Sequence, residues 1–341
     1  MPNNSTKILL LTTLMSGTLI SISSNSWFGA WMGLEINLLS FIPMMIEHKN
    51  SYTIEASLKY FIVQAGASSM LLFMVMTKAL NESVMISSNT QYMQMMINTP
   101  LLLKSGAAPM HWWFPSVMEG LNWNNCLLLM TLQKLAPLSL MSYQMKNDMF
   151  LEIIILTSVT VGAIGGLNQT SLRKIMTYSS INHMGWMLAA TITGDNMWVT
   201  YFIVYSMLTS TVVLIVNNAK VSFINQTSLM EKKNKLTKMM MFMSLLSLGG
   251  LPPFLGFLPK WIIIQAMITN TMTTTVTIMV MMSVITLYYY MRMAYSSMII
   301  LHHEPKWLTT QPTNKTSSTV IMLTLITLTG LLMCAATLSL K

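Results

Sequence analysis

Apolar runs follow one another along nearly the whole sequence, parted by short polar breaks. A helix needs roughly 20 mainly apolar residues to cross the hydrocarbon core of a bilayer. Read between their breaks, the runs form about eleven such segments, near 8–23, 27–46, 57–79, 92–118, 123–144, 149–167, 172–193, 197–219, 238–268, 273–297 and 317–340. They consume most of the chain and leave no loop long enough for a soluble domain. Charge agrees: Asp, Glu, Lys and Arg make up 9% of the residues, against about 25% in a soluble domain whose surface must face water. The pattern predicts an all-α polytopic membrane protein.

Two segments are interrupted. The fourth contains Lys104-Ser105-Gly106-Ala107-Ala108-Pro109 and the ninth contains Gly249-Gly250-Leu251-Pro252-Pro253. Gly and Pro free backbone groups that must find partners, so a break at membrane depth is tolerated only inside protein or beside water. Each break falls in the fourth segment of a run of five, which suggests an internal repeat of five-helix units. An odd number of spans per unit would make the two copies inverted. The expected division is 1–148 and 149–300 for the two repeats, with 301–341 as a polar loop and a C-terminal helix.

The basic residues set the orientation. With this count, one side of the membrane collects Lys7, Lys49, Lys59, Arg173, Lys174, Lys220, Lys232, Lys233, Lys235, Lys238, Arg292, Lys306 and Lys315. The other side has Lys78, Lys146 and Lys341. The N-terminus is therefore expected in the matrix or cytoplasm. The start, MPNNSTK, runs straight into an apolar segment with no cleavage site of the secretory type, so the first helix is expected to be retained. The run Glu231-Lys232-Lys233-Asn234-Lys235 reads as a topology signal, with attraction to anionic lipid as the other reading.

Lys104, Lys134 and Lys260 remain, each inside an apolar span, and Glu35 stands in the middle of another. A charge at helix centre costs about 2.5–3.5 kcal/mol on the insertion scale. Four would together cost roughly 10 kcal/mol, comparable to a protein's whole stability. Such residues are tolerated where they face one another or a wet interior, and they mark ion or proton paths. Burial makes a lysine release its proton more readily and a nearby carboxylate reverses this, so Glu35 and Lys104 are candidates for a switch, with Lys134 and Lys260 carrying the proton onward. The bland alternative is that these lysines snorkel to an interface or hold helices together. His111 and His183 lie in apolar segments as secondary candidates, since neutral histidine passes protons between its nitrogens; a structural role fits each as well. His302 and His303 fall in a polar loop with no specific role.

Much chemistry is excluded. Cys126 and Cys334 are isolated in apolar runs, where packing is their expected role. The sequence has no GxGxxG, P-loop, HExxH or Ser/His/Asp string to hold a nucleotide, flavin, cluster or metal. The net charge of +9 is explained by the topology and calls for no nucleic acid.

Four blocks carry a resemblance: Glu35 through Pro43, Lys104 through Trp123 (KSGAAPMHWWFPSVMEGLNW), Gly162 through Leu188 (GAIGGLNQTSLRKIMTYSSINHMGWML) and Leu246 through Trp261 (LSLGGLPPFLGFLPKW). They resemble the antiporter-like membrane-arm subunits of respiratory complex I. The match runs from near residue 5 to about 300 and continues beyond 302 by hydropathy alone. The length, and the start one helix before Glu35, look like the short form of bilaterian animals, most like an insect; bacterial relatives carry three further helices. The 38 methionines, expected at lipid-facing positions, fit a mitochondrial genome that reads an additional codon as Met. By motif position Glu35 matches the family's glutamate, Lys104 the lysine it pairs with, Lys134 the central lysine and Lys260 the lysine of the second broken helix.

The resemblance implies a single antiporter-like domain contributing to proton translocation coupled to NADH oxidation and ubiquinone reduction in the mitochondrial inner membrane, with the N-terminus on the matrix side. It further implies that NADH, FMN, iron–sulfur clusters and ubiquinone are bound by other subunits, and that this chain packs against other membrane-arm subunits, including the neighbouring antiporter-like ones, and lipid. A relative in the same superfamily is a cation/proton antiporter, so a stand-alone exchanger of sodium or potassium for protons remains an open alternative, as does a purely structural subunit.

Overall fold

The apolar runs appear as helices, several of which end at Ser or Gly, among them Ser23, Ser105, Gly120, Gly165 and Gly249. A computed structural model describes residues 4–47, 50–83, 90–144, 149–229, 235–295 and 321–330. Of the residues discussed above, Lys49, Lys146, Glu231, Lys232, Lys233, Asn234, His302, His303, Lys306, Lys315, Cys334 and Lys341 lie outside them, as does most of 301–341. The described residues are helical apart from turns and one isolated bridge, Ser171 with Phe223. The chain divides into two compact units, Met1–Ile154 and Ile155–Lys341.

The first unit holds α1 (Asn4–Ser23), α2 (Trp27–Met45), α3 (Ser51–Ser83), α4 (Thr90–Ser105), α5 (Trp113–Gly120), α6 (Trp123–Met130) and α7 (Leu132–Ser142). Ser26 starts α2 as an N-cap, accepting from the Gly29 amide at 3.2 Å and so satisfying one of the donors a helix start leaves free. Glycine allows α1 and α2 to pack backbone to backbone: a Cβ at Gly33 would lie 2.5 Å from the Ser21 nitrogen, and one at Gly17 2.9 Å from that of Asn37. Small residues permit this closeness where lipid supplies no hydrophobic drive between helices. At 33 residues α3 runs about 50 Å, and it exposes Leu58, Phe61, Ile62, Phe73 and Leu80.

α8 (Met149–Gly165) contains the boundary between the units. The second unit continues with α9 (Leu172–Thr193), α10 (Asp195–Ala219), the short α11 (Gln226–Leu229), α12 (Lys235–Gly249), α13 (Phe257–Thr269), α14 (Thr273–Tyr295) and a last helical stretch, Ile321–Gly330. α9 is its interior helix. Apart from Arg173, Lys174 and Tyr178, the residues from Leu172 to Thr191 are buried, among them Ser179, Ser180, Asn182 and His183.

Among the described residues, five helices are long and apolar enough to cross a membrane alone: Ser5–Ser23, Trp27–Met45, Ser51–Leu80, Asn196–Ala219 and Thr273–Tyr295. With the broken helices between them, they make the chain a multi-pass membrane protein. Two expectations need adjusting. Methionine is not confined to lipid-facing positions: Met70 and Met281 are exposed, but Met118, Met130, Met141 and Met187 are fully buried, as suits an unbranched side chain that fills irregular gaps. The fifth segment, predicted as continuous, is also interrupted, at Thr131. There the backbone turns (φ −111°, ψ −78°), and the Thr131 hydroxyl donates to the Leu127 carbonyl at 2.7 Å. Six residues on, Pro137 has no N–H to give the Gln133 carbonyl.

Candidate functional site

Each predicted break is closed in the same way. α4 ends at Gly106, with φ of +74°; its amide donates to Leu102 and Leu103 at 3.0 and 3.3 Å, and the Ala107 amide to Leu102 at 3.2 Å. α12 ends at Gly250, with φ of +87°; its amide donates to Leu246 and Ser247 at 3.2 and 3.1 Å, and the Leu251 amide to Leu246 at 3.4 Å. This left-handed closure favours glycine, which has no Cβ to clash. Side chains from beyond each break also donate to carbonyls of the last turn. Trp113 Nε1 of α5 donates to Leu103 at 3.1 Å, and Lys260 Nζ of α13 donates to Gly249 at 2.9 Å.

In the first unit, the structure brings three of the four charged candidates into one neighbourhood. Lys104 is in the last turn of α4 and 6% exposed; Lys134 follows the Thr131 break in α7 and is 2% exposed. Glu35, half-buried on α2, is near enough for its charge to act on Lys104, but among the described residues no ion pair within 4.0 Å joins them. Trp31 steadies this part of α2, its Nε1 donating to the Ser68 carbonyl of α3 at 3.2 Å. Lys134 Nζ lies 5.1 Å from the centre of the Phe114 ring, a favourable seat for a cation.

Lys104 borders a cavity of about 10 Å³, shared with Asn37, Tyr60, Gln64 and Gln133. That is close to the room one water molecule needs, and water needs polar partners of the kind found here. These side chains hold one another. Gln133 Nε2 donates to Asn37 Oδ1 at 2.8 Å, the Tyr60 hydroxyl donates to Gln133 Oε1 at 3.2 Å, and Gln64 Nε2 donates to the Lys104 carbonyl at 3.2 Å. Gln133 immediately precedes Lys134, so one small polar chamber touches Lys104 on one side and the turn carrying Lys134 on the other. Asn37, Tyr60, Gln64 and Gln133 are absent from the sequence-based candidates. The available signal was Tyr60 and Gln64, four residues apart and so on one helix face in an otherwise apolar run.

The fourth charged candidate, Lys260, is in the second unit. It is 5% exposed, held on the last carbonyl of α12 as described, with Nζ 5.8 Å from the centre of the Trp186 ring of α9. An ammonium there also meets the negative end of the α12 dipole. His183 shares a 2.7 Å hydrogen bond between Nδ1 and the Tyr201 hydroxyl, and its ring lies 5.1 Å from that of Tyr205. Beside it the Tyr205 hydroxyl faces Ser180. Tyr290 packs on Tyr289 at 4.5 Å and against Gly249. These buried tyrosines were also missed, since aromatic residues in membrane segments read first as interface anchors.

His111 sits in the α4–α5 turn, buried, its Nδ1 donating to the Pro109 carbonyl at 3.2 Å and its ring stacked on Trp112. Local contacts of this kind fit its structural reading. Cys126 is fully buried, its Sγ 3.6 Å from the Met118 and Leu121 carbonyls. Among the described residues no group of three or more His, Cys, Asp or Glu could hold a metal ion.

A family model described as NADH:quinone oxidoreductase/Mrp antiporter, transmembrane, matches residues 24–286. NADH-ubiquinone oxidoreductase chain 2 of Locusta migratoria is 47% identical over 332 residues, 97% of each chain. The chain of the same name from Aedes aegypti is 52% identical over 321 residues, 94% of each. Among solved structures, a chain of respiratory complex I from Thermus thermophilus with bound aureothin matches with a TM-score of 0.83 at 21% identity, over 97% of this chain and 79% of that one. At that identity the likeness is one of fold.

Proposed function

This chain belongs to the NADH:quinone oxidoreductase/Mrp antiporter transmembrane family, and from that premise we propose that it is a core membrane-arm subunit of respiratory complex I that contributes to proton translocation. The observation that carries the site assignment is the chamber of the first unit, which borders Lys104 and the residue before Lys134, each lysine beside a helix break. Glu35 holds the proton on Lys104 when near it and releases it when displaced. A water in the chamber passes it to Lys134. Lys260 serves the second unit, with His183 and His111 as secondary sites.

The two breaks support an internal repeat. Leu102, Gly106 and Pro109 recur as Leu246, Gly250 and Pro253 at the same spacing, with the same helix closure. We read 1–148 and 149–300 as inverted five-helix units, followed by 301–341, about eleven spans in all. NADH, FMN, iron–sulfur clusters and ubiquinone belong to other subunits of the complex. The partners are the neighbouring antiporter-like subunits and lipid. The location is the mitochondrial inner membrane, with the N-terminus in the matrix as the lysine distribution requires.

The family description also names antiporters, so sodium dependence is the direct test. Proton uptake into vesicles carrying the complex is expected to follow NADH oxidation and to be indifferent to sodium; uptake driven by a sodium gradient without NADH would put the antiporter reading in its place. The chamber makes its own prediction. Gln133→Leu leaves the buried Asn37 and Tyr60 groups without their partner, at about 1–3 kcal/mol each. It is expected to lower turnover per assembled complex several-fold, measured as NADH oxidation against complex abundance on native gels. Unchanged turnover would remove the chamber from the path.

A further inference from the structure

On one side of the second unit, the α8–α9 loop, the loop after α10 and the end of α14 come together. A bridge between Ser171 and Phe223 ties the two loops, with the Leu172 amide on Ser222 and the Ile224 amide on Thr170, both at 3.0 Å. Gln226 Oε1 fixes the second loop, accepting from the Ser222 and Phe223 amides at 2.8 and 3.3 Å. Held open by this frame is a pocket of about 400 Å³, within the range of small-ligand sites. Its lining includes Asn168, Gln169, Thr170, Asn225 and Arg292, and none of the lining residues is acidic. Arg292 is anchored, since Nη2 donates to the Leu167 carbonyl. A guanidinium has five N–H donors in a planar fork suited to phosphate, so others remain for a ligand.

Charge and depth identify the ligand class. Arg173 and Lys174 in the first turn of α9 and Lys220 at the end of α10 adjoin these two loops, and in the proposed topology this is the lysine-rich side. The exposed aromatic residues Phe223 and Tyr295 flank the pocket in sequence, as residues do at headgroup level. Ile164 and Met291, also exposed, continue as apolar surface on the last turns of α8 and α14. A basic pocket between helix ends at this level attracts anionic headgroups.

We propose that this pocket binds the phosphate of an anionic phospholipid headgroup, held by Arg292 and the amide side chains, with the acyl chains lying on α8 and α14. The site is separate from the proton path and stands whether or not that reading holds. The test uses the intact complex, stripped of lipid in mild detergent and titrated with dioctanoyl phosphatidylglycerol, dioctanoyl phosphatidylcholine or inorganic phosphate. Hydrogen–deuterium exchange of peptides covering 166–174 and 220–227 reports occupancy. Phosphatidylglycerol is expected to protect both, the other two far more weakly, and Arg292→Gln to weaken its half-saturation about five- to tenfold, with Arg292→Lys between. Equal protection by inorganic phosphate would overturn the lipid assignment, and equal protection by phosphatidylcholine the anionic one. No protection in the unsubstituted complex would overturn the site, independently of how the variants fold.

Discussion

Lys134→Met is expected to assemble and to fail: complex abundance near that of the unsubstituted protein, with NADH-driven proton uptake per complex lower by roughly tenfold or more. Assembly should survive because methionine fills much of the space of the lysine stem, and removing the charge relieves about 2.5–3.5 kcal/mol of insertion cost. Transfer should not survive, because Lys134 is the titratable group that takes the proton onward from the chamber in the proposed path. Lys134→Arg separates charge from titration. Arginine keeps the cation over the Phe114 ring but does not release its proton in the working pH range, so it too is expected to lose proton uptake. Full pumping by the arginine variant would end the relay reading. Loss of assembly in the methionine variant, with normal turnover in what remains, would favour a lysine that only holds helices together. Native-gel abundance and vesicle acidification, measured on the same membranes, decide between these outcomes.

Gly256→Ala is expected to be the most damaging single methyl group in the second unit. A Cβ there would lie 1.8 Å from the Ser247 carbonyl oxygen and 2.9 Å from its carbon. The φ of Gly256 is −65°, so an L residue fits the dihedral and only the close approach forbids it. Backbone cannot yield as a flexible side chain would, and the cost should exceed the 1–3 kcal/mol of ordinary overpacking. The start of α13 must move off α12, drawing Lys260 from the Gly249 carbonyl. Assembled complex is expected to fall several-fold, read on native gels. The control is Gly66→Ala in α3, where a Cβ meets nothing within 4 Å; there the better helix propensity of alanine should leave abundance unchanged or higher. Equal loss in both variants would mean that the α12–α13 approach is not what limits assembly.

What was legible in the sequence divides along physical lines. Hydropathy and Gly-Pro punctuation located the helices and the breaks at 104–109 and 249–253, because both signals are local: an apolar run must be buried in lipid or protein, and Gly with Pro cannot continue a helix. The Thr131 break was not legible. It rests on a threonine hydroxyl turned back on its own helix, an arrangement common in unbroken helices too. The buried charges stood out against apolar surroundings by cost alone. Their partners did not, since Asn37, Tyr60 and Gln133 meet across helices distant in sequence. The gap between Glu35 and Lys104 likewise depends on how α2 and α4 pack, which no spacing along the chain encodes.

The burial of α9 has a consequence for how the chain is made. A segment carrying Ser179, Ser180, Asn182 and His183, and absent from the helices apolar enough to cross alone, gains little from leaving the insertion machinery for lipid by itself. One neighbour does gain, since α10 is among the segments that qualify alone, and α8 packs closely on α9, where a Cβ at Gly162 would lie 2.5 Å from the Asn182 nitrogen. α9 therefore has to enter the bilayer in company, passed from the translocon to the shelter of α8 and α10 as a hairpin or a trio. The polarity that suits the helix to the interior of the finished protein makes its membrane integration a property of the group, set during synthesis by the order in which the three emerge.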